Sequence, residues 1–141
     1  MSGILSFRSK CFLSAASGAL YSAAYPPVGW GWLVFPAIAL FVFVLRGEEG
    51  TKARALGFIH GIAAFGIGLS WLLQLFGPAA VALWTVLAVF PALFAHFQGM
   101  AEKKGFTGWK FAVFTTLNWC GLEFIRAELF PLKFPWMTTG L

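Results

Sequence analysis

Long apolar runs alternate with short polar segments along the whole chain, which has 141 residues. Five such runs cover residues 11–25, 28–45, 55–76, 79–100 and 106–125. About 20 helical residues cross the hydrocarbon core of a bilayer, and four of the five runs come close to that length. The runs are continuous rather than alternating. The pattern therefore predicts an all-α integral membrane protein, a bundle of about five transmembrane helices.

The composition supports this interpretation. Hydrophobic residues make up 60% of the chain and charged residues only 11%, whereas soluble domains carry roughly 25% charged residues. The five apolar runs leave no room for a separate soluble domain. Residues 1–141 are therefore interpreted as one transmembrane domain.

The first apolar run is the shortest and has two interpretations. Arg8 and Lys10 precede it and small residues follow at Ser22, Ala23 and Ala24, as in a secretory signal peptide. However, the second run begins almost at once, after the sequence Tyr25-Pro-Pro, and proline ends a helix. A membrane hairpin formed by the two runs is the favoured interpretation.

The charge of the chain is distributed unevenly. Eight of the ten basic residues lie before the first run, after the second run, or between the end of the fourth run and the first residues of the fifth, on one predicted side of the membrane. Only Arg126 and Lys133 fall on the other side. This positive-inside pattern predicts a cytoplasmic amino terminus and an outer-face loop at residues 126–141. The excess of basic residues behind the net charge of +5 is thus explained by the orientation in the membrane, and no nucleic-acid partner is expected.

The residues that could perform chemistry are few. Cys11, Cys120, His60 and His96 have no metal-ligand spacing, and no Gly-rich phosphate loop or Ser-His-Asp arrangement occurs. Cys120 lies inside an apolar helix, where desolvation disfavours a thiolate. We expect no metal, no cofactor and no catalytic residue in this chain.

A stripe of small residues follows the third apolar run. Gly57, Gly61, Ala64 and Gly68 are four, three and four residues apart, so they share one helix face. In lipid, close backbone approach supplies much of the energy of helix association. The stripe predicts tight helix packing, and the alternative is a groove that admits an acyl chain.

Charged residues mark the end of the fifth run. Trp119, Glu123 and Arg126 are spaced by four and three residues and share a helix face. Ionisable groups in a membrane helix need a partner or a function. One interpretation is an ion pair that ties off the helix. The other is that Arg126 holds a phospholipid phosphate, or orients the loop that does, with Glu123 fixing its side chain.

Apolar residues return in the loop beyond this helix. Phe134, Pro135 and Trp136 would form a wedge at the membrane surface, which either anchors the loop or lines an entrance for lipid. Together with Trp119, Glu123 and Arg126 they are the candidate lipid-binding residues.

These motifs, in their order and spacing, resemble the membrane region of apolipoprotein N-acyltransferases, over roughly residues 21–140. Four pieces carry the resemblance: Tyr25-Pro-Pro followed by Trp30-Gly-Trp; Ala55-Leu-Gly-Phe with Gly61, Gly68 and Ser70-Trp; Trp119, Glu123 and Arg126; and Phe134-Pro-Trp with Gly140. Ala127 stands where many family members have glycine, and Leu132-Lys133 replaces a Thr-Gly pair in a slightly longer loop.

The resemblance implies a role in the bacterial inner membrane. In that family an acyl chain passes from a phospholipid to a catalytic cysteine and then to the amino group of the diacylglyceryl-cysteine of a lipoprotein. The catalytic Glu-Lys-Cys set belongs to a nitrilase-like domain with no counterpart here. This chain is then a fragment that supplies the membrane platform and is inactive alone. The rival interpretation is a small non-enzymatic membrane protein that binds lipid or a partner protein.

Overall fold

The computed structural model describes residues 5–139, and this part of the chain is helical without any strand. A single 3₁₀ turn, Gly31–Leu33, precedes the second helix, and a π-helical turn, Ile125–Leu129, continues the last one. The α-helices are α1 Phe7–Ala23, α2 Val34–Leu45, α3 Gly50–Gly68, α4 Leu72–Phe76, α5 Ala79–Lys103 and α6 Gly108–Phe124.

The all-α prediction is therefore confirmed for the described residues. Among them, one helix, α5, is both long and apolar enough to cross a membrane, with 25 residues. A shorter apolar stretch, Gly31–Leu45, precedes the first polar loop. The bundle of five membrane spans and the cytoplasmic amino terminus remain predictions.

Helix α3 occupies the centre of the bundle, with α1 on one side and α5 on the other. A Cβ atom on Gly61 would lie 2.6 Å from Ala88 Cα of α5, and one on Gly57 would overlap the Pro91 carbonyl oxygen. Ala64, on the same face, is buried in the core. The small residues thus allow the α3 and α5 backbones to approach within a distance that larger side chains would prevent.

The contact between α1 and α3 uses another small residue and two buried hydroxyl groups. A Cβ atom on Gly18 would overlap the His60 carbonyl oxygen. Ser14 Oγ donates to the Leu56 carbonyl at 2.6 Å, and Ser17 Oγ donates to the Ala37 carbonyl at 2.7 Å. Buried hydroxyl groups need such partners, so these bonds help to fix how α1, α2 and α3 pack.

The predicted third segment, 55–76, differs from the observed structure. Helix α3 starts earlier, at Gly50, and ends at Gly68, and the short helix α4 follows after a turn. Gly66 and Gly68 weaken the helix at this point. The side chain of Met137 also packs against Gly68, where a Cβ atom would lie 2.7 Å from the Met137 sulfur.

Helix α6 contacts the bundle chiefly through α5 and leaves a groove towards α2. Gln98 Nε2 donates to Thr115 Oγ1 at 2.7 Å, and Asn118 Nδ2 donates to the Phe94 carbonyl at 3.1 Å. These two bonds join α5 to α6 and set the rotation of α6. Trp119 and Glu123 consequently face the interior, where both line a small cavity.

Candidate functional site

The site lies at what we term the distal end of the bundle, where α1 and α6 finish; the proximal end is the one where α1 begins. A partly open cavity of about 30 Å³ lies beneath it. A cavity of this size holds about one or two water molecules. Its lining is mostly aromatic and aliphatic, and the polar lining residues are Tyr21, His60, Trp119, Glu123 and Arg126.

His60 occupies the floor of this cavity and is almost completely buried. Its Nδ1 lies 3.1 Å from Ser17 Oγ, and the single Ser17 proton is donated to the Ala37 carbonyl. His60 Nδ1 must therefore carry the proton and donate to Ser17, which leaves Nε2 as an acceptor. The ring also stacks on Phe41, with centroids 4.0 Å apart.

Trp119 turns its indole ring towards the core. Its ring centroid lies 5.0 Å from that of Phe94 and 5.7 Å from that of Tyr21, both in edge-to-face geometry. Its Nε1–H is buried and has no partner among the described residues. Trp119 thus forms part of the cavity wall, and its polar edge is available to a water molecule or ligand.

Glu123 fixes the last residues of the chain that the structure describes. Its carboxylate accepts from the backbone N–H of Thr139 at 3.0 Å and also from the Thr139 hydroxyl. Tyr21 Oη lies 3.0 Å from the same carboxylate and 2.8 Å from the Met137 carbonyl. Glu123 and Tyr21 together hold residues 137–139 against α1 and α6.

Arg126 holds the same segment from the other side. Its Nη1 donates to the Trp136 carbonyl at 3.0 Å and its Nη2 to the Met137 carbonyl at 3.0 Å. The residue is only 3% exposed, and its guanidinium lies 5.1 Å from the centre of the Phe65 ring. The planar guanidinium suits this paired geometry, because its donors point in fixed directions.

No salt bridge joins Glu123 to Arg126, although both side chains are within the described part of the chain. The described structure therefore does not contain the direct ion pair that one interpretation of the spacing expected. Arg126 instead donates to the carbonyls of Trp136 and Met137, and Glu123 accepts from the N–H and hydroxyl of Thr139 and from the Tyr21 hydroxyl. We term residues 136–139 the latched segment. The spacing placed both residues correctly on the inner face, but it could not reveal these partners.

The latched segment has a second anchor in Met137. This residue adopts a left-handed conformation with φ of 59°, and its side chain is buried beside Gly68 and Ser22. Gly68, counted in the helix-packing stripe, therefore meets the Met137 side chain from the loop as well as Ser22 of α1. An αL methionine costs conformational energy, which the Arg126 and Tyr21 bonds and the buried side chain offset.

The wedge residues diverge in orientation. Phe134 packs against the core, while Pro135 and Trp136 are exposed. The Trp136 ring lies edge to face with Trp71, at a centroid distance of 5.9 Å. The latched segment thus presents Trp136 on the distal surface next to Trp71, and the exposed Pro135 immediately precedes it.

Sequence reasoning missed Tyr21, Met137 and Thr139 as members of this site. Tyr21 lies 102 residues before its partner Glu123, so no local spacing connects them. A buried tyrosine hydroxyl needs a partner, and that was the only available signal. Gly140, which belongs to the last motif of the resemblance, lies outside the described residues.

Comparison with known proteins gives a consistent result. Residues 17–141 match the family model described as the apolipoprotein N-acyltransferase N-terminal domain. Apolipoprotein N-acyltransferases from Geobacter metallireducens and Coxiella burnetii are 28% and 32% identical to the chain, over 144 and 139 residues. The enzyme from Pseudomonas aeruginosa is 32% identical over 139 residues.

These similarities extend over almost all of the chain but a minor part of each relative. They cover 94% of the chain in the Geobacter alignment and 91% in the Coxiella and Pseudomonas alignments. The chain spans only 27% to 28% of the length of these relatives. The comparison therefore concerns their amino-terminal region.

Proposed function

We propose, since this chain belongs to the apolipoprotein N-acyltransferase N-terminal domain family, that it forms the membrane platform of such an enzyme. The reaction we assign to the complete enzyme moves an acyl chain from a phospholipid to the amino group of a lipoprotein's diacylglyceryl-cysteine. In this proposal the nucleophile of the reaction is not assigned to this chain. Its role is to hold structural elements next to the phospholipid and the lipoprotein.

The observation that carries this proposal is the paired bonding of Arg126 to the Trp136 and Met137 carbonyls. A buried charged group is costly, and its best compensation is a fixed set of hydrogen bonds. Here the charge is used to fix a loop whose Pro135 and Trp136 are exposed at the distal surface. Such a loop suits a position at the membrane interface, where tryptophan rings are favoured.

We assign the lipid contacts accordingly. Pro135 and Trp136 would touch the lipid directly, whereas Glu123, Arg126, Phe134 and Trp119 would position them from beneath. Arg126 has little access to a phosphate in this arrangement, because both terminal nitrogens are engaged and the residue is buried. Of the two functions that the sequence allowed for Arg126, loop orientation is the one we propose.

We place the chain in the bacterial inner membrane as a multi-pass protein. Apart from α5, support comes from large apolar side chains on the outside of α1, α2 and α6: Phe12, Phe35 and Leu117 are 75%, 76% and 68% exposed. Large apolar side chains this exposed on several helices fit a lipid environment better than water.

A chimaera tests the proposed function. Residues 1–141 would replace the matching amino-terminal region of the Pseudomonas aeruginosa relative, and acyl transfer would be measured with phospholipid and a diacylated lipoprotein. We expect the chimaera to be active. A chimaera that folds and inserts but transfers no acyl chain, while the parent enzyme does, would contradict the proposal and favour a non-enzymatic lipid- or protein-binding role.

A further inference from the structure

The proximal end of the bundle has a charge distribution that the proposed function does not use. Eight basic residues and three acidic residues, Glu48, Glu49 and Glu102, lie at this end. All three carboxylates are engaged: Lys10 pairs with Glu48 at 2.9 Å, Arg46 with Glu102 at 2.9 Å, and Lys103 with Glu49 at 3.2 Å.

These ion pairs hold the loop between α2 and α3 in place. The buried Lys10 ammonium also donates to the Arg46 carbonyl at 2.9 Å, and the Gly47 N–H donates to Glu102 at 2.9 Å. A Cβ atom on Gly99 would lie 2.7 Å from the Glu48 carbonyl oxygen, so the loop rests directly on α5. All three carboxylates at this end are therefore paired with Lys10, Arg46 or Lys103.

Five cations at the same end therefore have no carboxylate partner among the described residues. All five are exposed, and they are Arg8, Lys52, Arg54, Lys104 and Lys110. Three of them come from the first turns of the adjacent helices α1 and α3. We term Arg8, Lys52 and Arg54 the basic face.

Exposed aromatic rings lie one turn deeper on the same helices. Phe12 follows Arg8 by four residues and Phe58 follows Arg54 by four, so each pair shares a helix face. Phe12 is 75% exposed, and Lys52 Nζ lies 5.9 Å from the centre of the Phe7 ring. Cations above aromatic and apolar surface match the vertical order of a lipid leaflet, with phosphates above acyl chains.

We propose that the basic face binds the headgroups of anionic phospholipids. Juxtamembrane clusters of uncompensated Lys and Arg attract anionic lipid, and each cation strengthens the attraction about fivefold. The aromatic rings beneath would lie among the acyl chains. This inference concerns the end of the bundle opposite to the latched segment and does not depend on the proposed enzymatic role.

The test is lipid selectivity of the full 141-residue chain reconstituted in phosphatidylcholine vesicles. Spin-labelled phosphatidylglycerol and phosphatidylcholine would report their relative association with the protein. We expect phosphatidylglycerol to be preferred about tenfold or more at low salt and the preference to fall at high salt, because exposed charges are screened. The triple variant Arg8→Gln/Lys52→Gln/Arg54→Gln should remove most of the preference.

A matched pair of single variants provides the control. Lys52→Gln and Lys133→Gln make the same change at exposed lysines at opposite ends of the bundle. Only Lys52→Gln should lower the preference for phosphatidylglycerol, by about two- to fivefold. Thermal unfolding in a neutral detergent would show that both variants fold. An equal effect of the two, or an unchanged triple variant, would overturn the proposal. Selective competition by inorganic phosphate at matched ionic strength would overturn the lipid assignment in favour of a soluble anion.

Discussion

Arg126 and Glu123 carry opposite charges within one helical turn, yet each binds the backbone of the same downstream segment instead of the other side chain. Hydrogen bonds of these two ionisable groups thereby hold the latched segment in place. The residue types and their spacing predicted an inward-facing pair at the end of a helix. They could not predict that the partners are carbonyl and amide groups, because backbone partners leave no trace in a sequence pattern.

The geometry of Arg126 leads to a prediction for the complete enzyme. Lysine keeps the charge but cannot donate to the Trp136 and Met137 carbonyls from two fixed directions. Loss of one charge-assisted bond costs about 1.5–3 kcal/mol, which is roughly tenfold or more in rate if the loop position matters in the transition state. Arg126→Lys in the chimaera should therefore lower the rate of acyl transfer at least about tenfold.

Lys133→Ala is the control for this measurement, because Lys133 is exposed and takes part in no side-chain bond among the described residues. We expect it to retain nearly full activity. The role of Arg126 as loop anchor would be abandoned if Arg126→Lys were as active as Lys133→Ala. A low protein level in Glu123→Gln alone would then point to a purely structural function of the cluster.

At the scale of the helices, the small residues of α3 decide how closely it approaches α5. A Cβ atom on Gly57 would meet the backbone of Pro91 and Ala92, which cannot move without separating the helices. We expect Gly57→Ala to destabilise the fold by about 1–3 kcal/mol, as overpacking usually does. Thermal or denaturant unfolding in a mild detergent would measure the change.

Gly66 offers a matched control on the same helix. Its added Cβ would be 3.7 Å from Trp84, an ordinary contact, and alanine favours a helix over glycine by about 0.8–1.0 kcal/mol. Gly66→Ala should therefore be neutral or stabilising. Equal destabilisation by the two substitutions would contradict the explanation of the Gly57 effect by close backbone approach.

Helices that depend on signals close together in the sequence could be predicted, whereas features that depend on contacts between distant residues could not. Helices α1, α5 and α6 begin and end within four residues of the predicted segments, because continuous apolar runs and Pro or Gly breaks are local signals. Helix α2 ends at Leu45 as predicted but begins six residues late, at Val34, after the 3₁₀ turn. The break after Gly68 was not predicted. At this break the side chain of Met137, 69 residues further along the chain, packs against Gly68, and no local pattern could reveal that contact.

At the scale of the whole molecule, the described residues contain no group of three or more potential metal ligands. Cys120 is an exposed thiol on α6, and no basic side chain among these residues lines the groove that it borders. An activated nucleophile needs an adjacent base or a lowered pKa. We expect the isolated chain, reconstituted with phospholipid and a diacylated lipoprotein, to transfer no acyl group. Transfer that is abolished by Cys120→Ala would refute this expectation and identify the thiol as a nucleophile.

The topology of the bundle is the most general prediction. Three intervals rich in basic residues lie at the proximal end, and Lys and Arg are retained on the cytoplasmic side of a membrane. Reporter fusions at Gly50 and Lys104 should therefore read as cytoplasmic, and fusions at Gly77 and after Leu141 as outside. The two proximal positions lie at the start of α3 and just after α5, whereas Gly77 lies between α4 and α5. Because an extracytoplasmic catalytic domain would follow the distal end, a cytoplasmic signal after Leu141 would overturn both the orientation and the proposed enzymatic role.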